Sequence, residues 1–207
     1  MAMELSRPTA YQRLLTLVEA GLVEQDHELR YRLSMHSCRL AAAALEQADL
    51  GTRVQPILEM LVDRVKETAS LAVLDRGVPC IVSRVESQSV LRAEQKIGTT
   101  MSLEGSASGR ILTAFADSAT LERLKQNGEP LAADALLDEA RQKGYAVSSG
   151  YTHSGVVAIA APIFDIHDKC LSTVSLVMPE TRFDLETFRE PLLEAARAIT
   201  KMQQGAR

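Results

Sequence analysis

Two long apolar runs near the end of the chain, VVAIAAPIFD at 156–165 and CLSTVSLVMP at 170–179, are separated only by a short polar turn through His167, Asp168 and Lys169. Runs of this length, rich in Val and Ile and bounded by turn residues, read as strands, and the tight turn makes them a pair. Upstream, SLAVLDR and CIVSRVES read as two further strands joined across Gly77-Val78-Pro79, and SVLRAEQ reads as a third. Between these groups the period becomes helical. SASGRILTAF predicts a short helix after a loop at 96–105, residues 120–143 predict two helices broken at Asn127-Gly128-Glu129-Pro130, and residues 184–203 predict a closing helix. The pattern is an antiparallel sheet flanked by helices, an α+β domain.

A smaller unit precedes it. In LSRPTAYQRLLTLVEAGLV, Ser6 is placed to cap a helix, Pro8 falls in the first turn where its missing N–H costs nothing, and Leu14, Leu15, Leu17, Val18 and Leu22 recur at helical spacing until Gly21. After a polar link at 24–28, Leu29, Tyr31 and Leu33 alternate with Arg30, Arg32 and Ser34 as in a strand. The Ala-rich stretch at 34–50 predicts a closely packing connecting helix that Gly51 breaks. Residues 52–68 predict an amphipathic helix with Val54, Ile57, Leu58, Leu61 and Val65 on one face.

Composition narrows the function classes. With 207 residues, 46% hydrophobic and 24% charged, the chain has the makeup of a globular protein large enough for one or two domains. Its formal charge is -4, so no overall positive field draws it to nucleic acid, and any DNA contact must come from a local patch. Tryptophan is absent and aromatics make 4%, too few for the stacking platforms of single-strand binders. Cys38, Cys80 and Cys170 lie far apart with no C-x-x-C pair, so neither a disulfide framework nor a zinc knuckle is suggested, and a reducing cytoplasm fits best. The sequence shows neither an export signal nor an apolar run of about 18 residues that would span a membrane.

The order of these parts resembles the IclR-type family of bacterial transcriptional regulators. Three stretches carry the resemblance: RPTAYQRLLTLVEAGLVEQD with YRLS, similar to a recognition helix and wing; SLEGSASGRILTAF, similar to a loop-to-helix signature; and GVVAIAAPIFD with STVSLVMP, similar to paired C-terminal strands. The resemblance implies a partial winged helix-turn-helix over 1–34, a linker helix over 35–50, and a GAF-like effector domain over 51–207. It further implies a homodimer or homotetramer acting on operator DNA, with no cofactor. Family members carry two more helices before the recognition helix, whereas this sequence starts almost upon it.

A recognition helix lays its first turns against base edges in the major groove. Arg7 and Gln12 are chemically suited to read guanine and adenine, while Thr9, Tyr11 and Arg13 suit phosphates. Arg30 and Arg32 on the wing would approach backbone or minor groove. From the residues alone ordinary solvated charges are the simpler reading, interspersed as they are with Glu4, Glu19, Glu24, Asp26 and Glu28; the resemblance turns the balance to DNA.

The resemblance also implies a small-molecule site between the sheet and the loop before the short helix. Its positions fall on Ala107 and Ser108, with Met101, Leu103 and Gly105 just before, and on the strand residues Ser148, Val156, Ala158, Ser175 and Val177. Small residues here let backbone N–H groups and a helix N-terminus approach a carboxylate. Family members that bind small oxoacids tend to carry an acidic residue, a cysteine and a second serine where this chain has Ser148, Ala158 and Val177. Fewer donors favour a larger, partly apolar organic acid, such as an aromatic one. Ala158 and Val177 as plain core, and Ser175 bonded to a neighbouring backbone, are the competing readings. Tyr151 and His153, before the last hairpin, are candidates to close over the site.

Nothing reads as an enzyme. The four histidines show no H-x-x-x-H or H-E-x-x-H spacing, and SASGR is not a G-x-S-x-G elbow. Cys80 and Cys170 are too far apart in sequence to suggest a redox pair. Asp63 with Glu67, and Asp134 with Asp138, read as solvated helical pairs. Two functions therefore stand: an effector-controlled DNA-binding regulator, and a shortened relative that keeps only a ligand-binding or oligomerisation module.

Overall fold

The computed structural model describes residues 5–48, 50–92, 95–151 and 154–205. These fall into two compact units divided between Gly51 and Thr52.

In the first unit, α1 (Arg7–Glu19) begins where the Ser6 side chain accepts the Thr9 N–H at 3.3 Å, with Pro8 in the first turn. It ends at Ala20, and Gly21 takes the left-handed φ of 68° that the exit requires. No α1 residue is fully buried; Leu14, Leu15 and Val18 form its half-buried stripe. Next come β1 (Val23–Gln25) and β2 (Tyr31–Leu33), paired antiparallel. β1 lies partly within the segment the sequence presents as a polar link. Leu29, expected in a strand, instead sits in the turn at φ 62°, where Asp26 Oδ1 accepts the Glu28 and Arg30 N–H groups at 2.9 Å each. α2 (Met35–Gln47) starts at Ser34, whose hydroxyl donates to the Gly21 carbonyl, and Ser37 donates to the Leu22 carbonyl at 2.8 Å.

The second unit is built on a five-stranded antiparallel sheet in the order β4-β3-β7-β6-β5. Its strands are β3 (Thr68–Asp75), β4 (Val78–Val85), β5 (Ala146–Ser149), β6 (Val156–Phe164) and β7 (Cys170–Pro179). Residues alternate between its faces. One face presents Leu71, Ile159, Val174 and Leu176, all fully buried. Against it pack α3 (Gln55–Val65), through Leu58, Leu61 and Val62, and α7 (Leu185–Gln204), through Phe188, Leu192 and Ile199. The other face carries α4 (Ala107–Ala114) and α6 (Asp134–Lys143), which with Ala146 and Ala160 form a second core around Ile111, Leu112 and Leu137. α5 (Ser118–Gln126) starts at Asp117, whose carboxylate caps it. Small alanines on this second face bring α4 close to the sheet.

The predicted helix at 52–68 is shorter than its pattern, because β3 already begins at Thr68. Of the predicted strand SVLRAEQ, the described residues 89–92 and 95 form no strand. The outer edge of β4 is taken by the segment after it: Ile81 N–H donates to the Thr99 carbonyl at 3.0 Å, and Gly98 N–H to the Ile81 carbonyl at 2.8 Å. Residues 89–92 are left as an irregular stretch with Val90 fully exposed. No described helix is long and apolar enough to cross a membrane.

Candidate functional site

A cavity of about 760 Å³ lies over the second face of the sheet, within the second unit. Its floor is Val156 and Ala158 of β6, Ser175 and Val177 of β7, and Ser148 of β5. One wall is the start of α4, with Ser106, Ala107 and Ser108; another is the segment carrying Arg92, Gln95, Lys96, Thr99, Thr100, Met101 and Ser102, and Tyr151 stands at the rim. The register explains the floor: Ser148 pairs with Ala158, and Ala158 with Val177, so the three side chains lie in one row on one face. Such a volume lies in the range of small-molecule sites, about 300–1,000 Å³.

Eight of the ten positions expected at an effector site meet here: Met101, Ala107, Ser108, Ser148, Val156, Ala158, Ser175 and Val177. Leu103 and Gly105 do not line the cavity. Leu103 is buried in the core, and Gly105 lies under the Tyr151 ring, so close that a Cβ would fall 1.9 Å from a ring carbon. His153 lies outside the described residues.

The first turn of a helix has N–H groups with no intrahelical acceptor. At α4, Gly109 N–H goes to the Ser106 hydroxyl at 2.9 Å, and Ala107 N–H to the Ser148 hydroxyl at 3.2 Å. Between them, the Ser108 N–H has no acceptor among the described residues. Ser148 accepts through its oxygen and so keeps its own O–H to donate into the cavity. Ser175 Oγ is 3.5 Å from the Ser70 carbonyl, a long bond that leaves it little constrained. Ser102 and Ser106 are occupied by their own loop: the Ser106 hydroxyl donates to the Ser102 carbonyl at 2.6 Å, and Ser102 Oγ accepts from the Glu104 and Gly105 N–H groups at 3.1 Å each.

The lining contains two cations, Arg92 and Lys96, and no carboxylate among the described residues. Both were missed by reading that stretch as strand and loop. Their i, i+4 spacing in a loop beside the small-residue signature is the signal that would have found them. The wall therefore has more donors than the strand positions alone imply, with the apolar part supplied by Val156, Ala158, Val177, Met101, Ala107 and Tyr151.

The three cysteines form no disulfide. All three are free; Cys38 is exposed, and burial pushes the Cys170 thiol up to about 12, far from the thiolate form. No group of His, Cys, Asp or Glu able to hold a metal occurs among the described residues.

In the first unit, Arg7, Thr9, Tyr11, Gln12 and Arg13 all lie on α1 and are exposed. The Thr9 hydroxyl is engaged with Ser6 at 2.8 Å. Arg30 and Arg32 are exposed but ion-paired within the hairpin: Arg30 with Glu28 at 2.7 Å and Asp26 at 3.2 Å, and Arg32 with Glu24 at 2.8 Å. Exposed pairs of this kind are worth about 0–1 kcal/mol, so a phosphate can displace the carboxylate. The hydrogen bond from the Arg30 N–H, and after it that from the Glu28 N–H, holds the Asp26 carboxyl below its usual range.

Residues 42–201 match the family model of the bacterial transcriptional regulator IclR C-terminal domain. The chain is 30% identical, over 93% of its length and 80% of the relative's, to the glycerol operon regulatory protein of Streptomyces coelicolor. It is 26% identical, over 96% of its length and 76% of the relative's, to the HTH-type transcriptional regulator BhcR of Paracoccus denitrificans. Among solved structures it is similar to an IclR homolog of Microbacterium hydrocarbonoxydans complexed with 4-hydroxybenzoate, with a TM-score of 0.78 at 25% identity, covering 98% of this chain and 88% of that one.

Proposed function

The chain belongs to the IclR family of bacterial transcriptional regulators, and we propose that it is a DNA-binding regulator controlled by an organic acid bound in the cavity over β6 and β7. The observation that carries this reading is the cavity's chemistry: a partly apolar floor, the cations Arg92 and Lys96 in the lining, and the Ser108 N–H and Ser148 hydroxyl at the positive end of α4. A carboxylate sits there against the helix N-terminus while an apolar body covers Val156, Ala158 and Val177. The size and the apolar patch favour an aromatic or similarly bulky acid. The 4-hydroxybenzoate complex of a relative with the same fold supports that class.

On this reading, residues 1–34 form the DNA-reading part, 35–50 link it, and 51–207 form a GAF-like sensor in a cytoplasmic homodimer or homotetramer. Arg7 and Gln12 read bases; Thr9, Tyr11, Arg13, Arg30 and Arg32 hold phosphates. Ligand binding shifts the equilibrium between two arrangements with different operator affinity. A mobility-shift titration with the DNA upstream of the protein's own gene tests it. Binding that weakens steeply with salt and changes on adding 4-hydroxybenzoate or a related acid is expected; no binding, by this chain and by one extended upstream in its own genome, refutes the DNA role. The second reading, a ligand-binding or oligomerisation module that does not bind DNA, draws on the ion pairing of Arg30 and Arg32 by the hairpin's own carboxylates. Acid binding without any operator shift is its signature.

A further inference from the structure

We propose that Arg84 is a buried anchor for a second acidic group of the effector, so that the cavity selects a diacid over a simple monocarboxylate. The inference rests on the acid-effector reading above and names the ligand class within it.

Arg84 belongs to β4, where the register sets it beside Ser70 of β3, and Ser70 beside Ser175 of β7. These residues thus share one row on one face, and Ser175 lines the cavity. Its neighbour Ser83 points the other way, to Gln55 of α3. The Arg84 side chain is only 7% exposed, yet among the described residues its Nε and Nη2 have no hydrogen-bond partner, and neither does the nearby Ser70 hydroxyl. Among the described residues its charge is met by a loose ion pair, Nη2 to Glu86 at 3.5 Å. Glu86 is half-exposed and is shared with Arg92 at 3.3 Å, and Arg92 lines the cavity.

A buried guanidinium with unmade hydrogen bonds is costly, and a native chain that keeps one has a use for it. Glu86 can return to water when an anion enters beside Arg92. Arg84 then offers a planar fork of N–H donors that matches a carboxylate bidentately. The α4 N-terminus stands at the β5 and β6 side of the cavity, and Arg84, which does not itself line it, stands at the other side in the sheet row that runs through Ser70 to the lining residue Ser175. A ligand acidic at both ends fits this pattern, and a monocarboxylate leaves Arg84 unmet.

Titration calorimetry on the full chain with matched probes tests the assignment: benzoate against benzene-1,4-dicarboxylate, and hexanoate against hexanedioate. The wild type binds the diacid of each pair more tightly. In Arg84→Met the diacid weakens roughly 10- to 100-fold, the size of a lost charge-assisted pair, while the monoacid changes less than about threefold. Arg84→Lys keeps the charge without the fork and loses part of the preference, which decides the matter should the Met variant not fold. Survival of the diacid preference in both variants overturns the assignment, as does a wild type that binds monoacids and diacids alike, the acid-effector reading then still standing. No heat with any acid overturns both.

Discussion

Gly109→Ala sets two physical effects against each other. Gly109 lies inside α4, where alanine is the better helix former by about 1 kcal/mol. Propensity alone therefore predicts a more stable protein. The packing says otherwise. A Cβ at this position would stand 2.2 Å from the Ser102 carbonyl oxygen and 2.6 Å from the Leu103 Cα, where ordinary contact begins at 3.4 Å. The obstacles are backbone, and the backbone is pinned: the Ser102 carbonyl accepts the Ser106 hydroxyl at 2.6 Å, and Met101 N–H is held by the Pro79 carbonyl at 2.8 Å. Overpacking costs about 1–3 kcal/mol, and each loosened hydrogen bond about 1 kcal/mol more. Less the propensity gain, the variant loses about 2–3 kcal/mol. For a protein of this size the Tm falls by roughly 4–12 °C. Thermal unfolding followed by circular dichroism reads this directly. A Tm equal to or above the wild type would refute the reasoning, since it would mean that the loop carrying Met101 and Ser102 yields freely and that the cavity wall is not fixed by α4.

The remaining expectations concern other parts of the second unit. Ser148→Ala leaves the Ala107 N–H without its acceptor at the start of α4, so stability falls by about 1–2 kcal/mol in denaturant titrations, and binding of an aromatic acid weakens by about tenfold. Glu67 is 4% exposed at its side chain and is held by Arg182, which also donates to the Leu91 carbonyl at 2.9 Å. Arg182→Ala strands that carboxylate and costs about 2–4 kcal/mol, somewhat below the value for a fully buried pair because Arg182 is one-third open to water. The Asp117 carboxyl is drawn from 3.8 down to about 2, chiefly by the Thr120 N–H, and then by the Thr120 hydroxyl and Lys169. A depressed pKa contributes stability above the unfolded value that is lost as pH falls through the folded one; Asp117→Asn, which keeps an acceptor for the cap, flattens the fall of Tm between about pH 4 and pH 2.

Much of the sheet was legible because its inner strands are apolar on both faces. β6 and β7 pack α7 on one side and α4 on the other, so their sequences are nearly continuous runs of Val, Ile, Ala and Leu that nothing else in the chain imitates. The margins were not legible. β5 is four residues long, and β1 contains Glu24, whose partner Arg32 across the hairpin supplies a reason for a charge that the sequence alone presents as a link. SVLRAEQ has strand-like residues, but the β4 edge it would join is occupied by residues 98–101. At the site, the floor positions followed from the family pattern, since Ser148, Ala158 and Val177 fall in one row once the strands are in register. Arg92 and Lys96 did not, because only the fold brings their segment against α4. Arg84 reads as an ordinary strand charge until the register sets it on the buried face beside Ser70.

Acid binding in the cavity is the central claim, and a calorimetric titration of the wild type and of Ala158→Phe with 4-hydroxybenzoate and benzene-1,4-dicarboxylate tests it most directly. Ala158 is on the cavity floor, so a phenylalanine there fills the space the acid would use. Saturable binding of at least one of these acids by the wild type, abolished in Ala158→Phe with the fold intact by circular dichroism, is the predicted result. Equal binding by both proteins, or none by the wild type, would contradict it.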